Sequence, residues 1–280
     1  MKKLIVFLGV LFFYSCTYIK DDKSVSNDLV LVKGGFFVNQ NSNLYKRDVR
    51  VNDFYISRTE ITQKEWVRVM GTNPSRYKGD DLPVEMVSWY DCIAYCIQRS
   101  KQEGLQPYYK ILKDSIDEFN KSEYDTVKCV ISIYPLSNGY RLPKEIEWEY
   151  AAGGGQLSKS YTYSGGNDMN TIAWYWRNCG DQFLTENWNY QILENNHGRT
   201  RPVASKTPNE LGLFDMTGNV REWCEDWFEN QEIPSGHFRS HRGGGWIGVE
   251  MFMKNNDRDY FEANGIGPDQ GFRVCRNVGE

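Results

Sequence analysis

Histidine is scarce in this chain: His197, His237 and His241 are the only three in 280 residues, and no Cys-x-x-Cys pair occurs. Cys92 and Cys96 stand four apart on a predicted helix, but without a Cys/His grouping they read as structural thiols or disulfide partners and not as a zinc site. Neither sign of charge dominates. With 33 basic residues scattered against 37 acidic ones, the net charge of -4 offers no electrostatic footprint for nucleic acid. The apolar run at the N-terminus, Leu4 to Phe13, is too short to cross a hydrocarbon core of roughly 30 Å as a helix.

Behind Lys2 and Lys3 that run reads as a secretion signal over residues 1–15. Cys16 follows Phe13-Tyr14-Ser15, an approach that resembles a relaxed bacterial lipobox, so Cys16 is the expected lipidated N-terminus. Residues 16–28, with the polar stretch TYIKDDKSVSND, form a tether, and residues 29–280 form the domain. The expected location is therefore a bacterial membrane surface, the outer membrane or cell surface, reached through the lipid alone. Six other cysteines remain at 92, 96, 129, 179, 224 and 275, an even number that suits an oxidising compartment, with pairing open.

A content of 40% hydrophobic and 15% aromatic residues is ample for one packed core. LVLVKGGFFVNQ alternates like a strand broken at Gly34-Gly35, and VNDFYISRTEIT continues in that style. Thr62 with Glu65 forms a capping box ahead of Trp66, Val69 and Met70, and Ser88 caps a second helix that stops at Gly104. Tyr108 to Tyr134 reads as a hairpin. A third helix is expected from Pro143 through KEIEWEYAA to Gly153-Gly154-Gly155. Beyond it periodicity fades, and a long irregular half needs disulfides, an ion or a loop-tolerant fold to order it.

YRLPKEIEWEYAAGGG (140–155), NELGLFDMTGNVREWCEDWF (209–228), RGGGW (242–246) and GFRVCR (271–276) come in an order that resembles the formylglycine-generating-enzyme family, the sulfatase-modifying-factor domain. ISRTEITQKEW and PVEMVSWYDCIAYC match its opening, so the resemblance covers about residues 29–277. It implies an α+β, C-type-lectin-like fold with little regular secondary structure. Members that oxidise a sulfatase cysteine bind copper through two cysteines shortly after the GGSW-like motif. Here those places hold Gly248 and Met253, and no cysteine lies between Cys224 and Cys275, so neither copper nor that catalysis is expected. Ergothioneine-type relatives need a further helical domain and an iron site that three scattered histidines do not supply.

The C-terminal segment, residues 242–276, resembles instead the rewritten segment of variable proteins of diversity-generating retroelements: framework motifs at both ends and a fixed internal arginine, here Arg258. Adenine replacement in AAY codons yields NNY codons. Gly248, Val249, Phe252, Asn255, Asn256, Asp257, Asp259, Tyr260 and Phe261 are NNY-reachable, whereas Trp246, Glu250, Met251, Met253, Lys254 and Glu262 are not. The nine reachable residues are the expected ligand-binding set. Aromatics beside amides make rigid contact area with adaptable hydrogen bonding. Trp223, Trp227 and Trp246 are expected in the core. By the same resemblance Asp215 and Glu222 side chains with the Gly218 and Val220 carbonyls match a calcium site, a set of hard oxygen donors.

The expected function is a surface-tethered, non-catalytic binding protein whose variable patch takes an extracellular protein or glycan ligand. A divergent formylglycine-generating-like enzyme and an invariant envelope lipoprotein are the competing readings. The lipid expectation has a direct test. Metabolic labelling with a fatty-acid analogue should mark the wild type and not Cys16→Ala; equal labelling would remove the tether from the picture.

Overall fold

The computed structural model describes residues 28–37, 42 and 49–279, so Cys16, the signal and nearly all of the tether lie outside the described residues. The first half comprises strands β1 (Leu29–Val32), β2 (Gly35–Phe37), β3 (Val49–Val51) and β4 (Phe54–Ser57), then helices α1 (Gln63–Met70) and α2 (Trp89–Gln102). A hairpin of β5 (Tyr109–Ile116) and β6 (Cys129–Ile133), strand β7 (Tyr140–Arg141) and helix α3 (Glu145–Ala152) follow. The second half has two short helices, α4 (Met169–Ile172) and α5 (Tyr190–Asn195), and strands β8 (Arg221–Trp227), β9 (Arg239–Arg242), β10 (Asp259–Phe261), β11 (Gln270–Gly271) and β12 (Cys275–Asn277).

Two four-stranded sheets, β1-β4-β12-β7 and β10-β9-β8-β11, organise the domain. The last strand, β12, pairs antiparallel with both β4 and β7, so the C-terminal segment is sewn to the start of the domain. Local chemistry explains the helix ends. Both the Thr62 and Ser88 capping boxes form, the second completed by Asp91, and α1 ends at Gly71 in the left-handed region at φ 82°. Helix α3 begins two residues later than Pro143, with Lys144 as its N-cap, because Glu147 reaches back to accept from the Lys144 N–H.

The irregular second half is ordered by buried ion pairs. Helix α3 carries Glu145, Glu147 and Glu149, all buried. Residues four apart share a helix face, and Glu145 and Glu149 both receive Arg242, at 3.1 and 2.7 Å. Glu147 points elsewhere and takes Arg141 through two bonds of 2.6 and 2.8 Å. On β8, Glu222 accepts from Arg273 Nε and Nη2 at 2.6 and 2.7 Å and from Trp148 Nε1 at 2.6 Å. Arg273 also donates to the Ser57 and Phe214 carbonyls, so one guanidinium joins β4, β8 and the loop before it. The six described cysteines are buried free thiols.

Removing one partner of such a pair strands a buried charge. Arg273→Met should cost about 3–5 kcal/mol in urea unfolding, and adding Glu222→Gln should restore part of it. A loss below about 1 kcal/mol would show the pair to be structurally idle.

Candidate functional site

Two anchors position the C-terminal segment. Trp246 is 1% exposed, donates from Nε1 to the Pro268 carbonyl at 2.9 Å and meets Tyr77 edge-on. Arg258 lays its Nε and Nη2 on Glu145 at 2.6 and 2.7 Å, sends Nη1 to the Glu229 carbonyl and covers the Phe228 ring at 4.5 Å. Between these anchors the chain makes a 3-10 turn at Glu250–Phe252 and buries Met253, and just after Arg258 it pairs β10 with β9.

The nine expected ligand residues divide by environment. Phe252, Asp259, Tyr260 and Phe261 are exposed, as is Met251, and the last three of the four form the edge strand β10 of its sheet. Tyr260 is held between Phe228 and Phe238, at 4.6 and 4.8 Å between ring centroids. The other five are half-buried. Val249 packs against the Trp246 cluster. Asn255 is tied by its N–H to the Thr162 carbonyl and by Nδ2 to Tyr161, while Arg242 donates to its own carbonyl. Asp257 Oδ2 accepts from the Lys254 N–H, and burial raises its carboxyl above the usual range. Asn256 lines a separate cleft with Lys254 and Phe36. Gly248 is constrained most, since a Cβ there would lie 2.9 Å from Met253 Sδ and 3.0 Å from the Gly245 carbonyl. Codon arithmetic contains none of this packing.

That same contact bears on chemistry. Gly248 and Met253, the two positions where the resemblance led us to look for cysteines, face each other, and the buried Met253 side chain takes up the space beside the Gly248 Cα. Of the tryptophans, Trp223 and Trp246 are buried as expected, but Trp227 is only half-buried and lines a cleft. His241 is buried against Trp223, and burial pushes its ring down to about 4, so it stays neutral.

At the expected calcium residues the donor set fits in part. Asp215 is buried, its Oδ2 accepts from the Ala204 N–H, and Oδ1 has no partner; burial raises its carboxyl to about 6. Glu222 is already engaged by Arg273 and Trp148. Glu60, which sequence reading passed over, stands close enough for Asp215 and Glu222 to add to the rise that burial causes in its carboxyl. It accepts from the Val220 N–H and Asn219 Nδ2 and so holds the loop itself. No cluster of three or more His, Cys, Asp or Glu side chains poised for a metal occurs among the described residues.

Residues 17–278 match the family described as "Sulfatase-modifying factor enzyme 1-like domain". The chain belongs to that family. A "Chaperone protein LppX" of Paenibacillus barcinonensis is 47% identical over 280 residues, 99% of this chain and 100% of that protein. A formylglycine-generating enzyme of Streptomyces coelicolor is 43% identical over 93 residues, 32% of this chain and 27% of the enzyme. Among solved structures, Treponema denticola variable protein 1 superposes with a TM-score of 0.73 at 29% identity, covering 89% of this chain and 95% of that one. The mixed helix and strand fold, sparse in regular structure, is the fold of this sulfatase-modifying-factor group.

Proposed function

We propose that this protein is a non-catalytic binding protein, tethered through Cys16, that presents Phe252, Asp259, Tyr260 and Phe261 to an extracellular ligand. The observation that carries the reading is the contrast within one segment: Trp246 and Arg258 are locked into the fold, while Phe252 between them and Asp259, Tyr260 and Phe261 after them are exposed. A rigid frame with exposed aromatics lowers the ordering cost of binding. Two features argue against catalysis of the copper type. Gly248 and Met253 carry no thiolate, and their side of the fold is packed shut. A polypeptide ligand is favoured over a glycan because the full-length relative is named a chaperone protein. Display on the outer face of the cell and diversification of residues 242–276 belong to the same proposal. No described helix is long and apolar enough to cross a membrane.

Purified protein should give no formylglycine from a sulfatase-type cysteine peptide, by mass spectrometry. Rewriting Phe252, Asp259, Tyr260 and Phe261 together should abolish ligand capture at a cost near 0.5 kcal/mol per position or less, against roughly 3–5 kcal/mol for Trp246→Ala. A melting-temperature collapse equal to that of Trp246→Ala would show these residues to be core and defeat the binding reading.

Calcium remains part of the proposal through Asp215, whose buried Oδ1 has no partner, with Glu222 and the Gly218 and Val220 carbonyls completing the oxygen set. Millimolar calcium should raise the melting temperature of the wild type, reversibly with chelator, and leave Asp215→Ala unmoved. No shift in the wild type would exclude a calcium role.

A further inference from the structure

Beside the start of β9 lies an open cleft of about 530 Å3 that includes no residue of Gly248 to Phe261. Its inner wall is Arg239, 8% exposed, with its guanidinium stacked between Trp89 and Trp227 at 3.8 and 3.6 Å from the ring centroids. Nη1 donates to the Glu225 carbonyl at 2.9 Å, while the buried Nε has no hydrogen-bond partner. Arg239 thus lines the cleft with a guanidinium whose hydrogen bonding is incomplete, a cost that buried polar groups seldom carry.

The rest of the cleft is acidic and apolar. Asp117, Glu225, Asp226 and Glu229 set four carboxyls against one guanidinium, a balance that repels anions. Burial raises Glu225 and Asp226, the latter to about 7, with Glu145, Glu225 and Glu147 adding repulsion at Asp226. At the mouth, Phe119 is 53% exposed and meets Trp227 at 5.9 Å, and Ile133 is exposed beside it.

We propose that this cleft receives a lysine side chain of a polypeptide partner, its ammonium among Asp117, Asp226 and Glu229 and its stem over Phe119 and Ile133, against the wall that Arg239 forms with Trp89 and Trp227. Lysine fits better than arginine. Arg239 already occupies an indole face of both Trp89 and Trp227, the stacking that a second guanidinium would seek, whereas an ammonium needs only the carboxylates. The inference rests on the binding reading above and deepens it. Every residue of the cleft lies outside 242–276, so the anchor stays constant while the patch changes, and in register Phe261 of β10 pairs with Arg239 itself. A ligand seated on the patch lies next to the cleft.

Acetyl-Gly-Lys-Gly-amide titrated into the intact protein to about 10 mM, followed by the tryptophan indole NMR signals, tests this. Saturable binding that perturbs Trp227 is expected, weaker by about tenfold or more when the lysine is Nε-acetylated. Glu229→Gln, whose carboxylate makes no hydrogen bond among the described residues, should weaken it, as should Asp226→Asn. A variant rewritten at Phe252, Asp259, Tyr260 and Phe261 should bind the peptide as the wild type does, which separates the cleft from the patch. Absence of saturable binding, or equal binding of the acetylated or a glutamate peptide, would overturn the proposal.

Discussion

A buried guanidinium paired with a buried carboxylate is the interaction on which this fold depends. Four arginines, at 141, 242, 258 and 273, reach glutamates on α3 and β8, and each also holds a carbonyl or amide of a segment that has no regular structure of its own. Desolvating such charges is costly, and only good geometry with further hydrogen bonds offsets it. Here both conditions are met, so the pairs select one arrangement of loops that hydrophobic burial alone would leave under-specified. The cysteines, all buried thiols, contribute packing and not cross-links.

The same device separates frame from display. Arg258 interrupts the outward-facing segment and ties it to Glu145, which also receives Arg242 and the Ser240 hydroxyl. Side chains on either side of that anchor change without disturbing the pair, provided they point outward. Phe252, Tyr260 and Phe261 do; Gly248 and Asn255 do not. The exposed part of the segment is thus narrower than the set of NNY-reachable positions, and Met251 adds apolar area from a position that codon arithmetic assigns to the frame.

Fold alone does not carry function, and proteins named for quite different roles match this chain. Gly248 lets the chain pass close to the Met253 thioether, where a Cβ would have no room. At the rim, aromatic rings and carboxyls meet solvent around Arg239 and Tyr260.

Capping boxes at Thr62 and Ser88, the hairpin and the ordered Gly/Trp/Arg motifs were legible in the sequence because each rests on local spacing: three residues for a cap, alternation for a strand. The family followed from those motifs as well. Partners far apart in the chain were decided only in three dimensions. Glu222 with Arg273 spans 51 residues and Glu145 with Arg258 spans 113, and nothing in EIEWE says which arginine each glutamate meets. The cleft around Arg239 was equally hidden, since Trp89, Phe119, Asp226 and Arg239 belong to four separated segments. Only the packing of α2 and the hairpin beside β8 and β9 brings their charges and rings into one space.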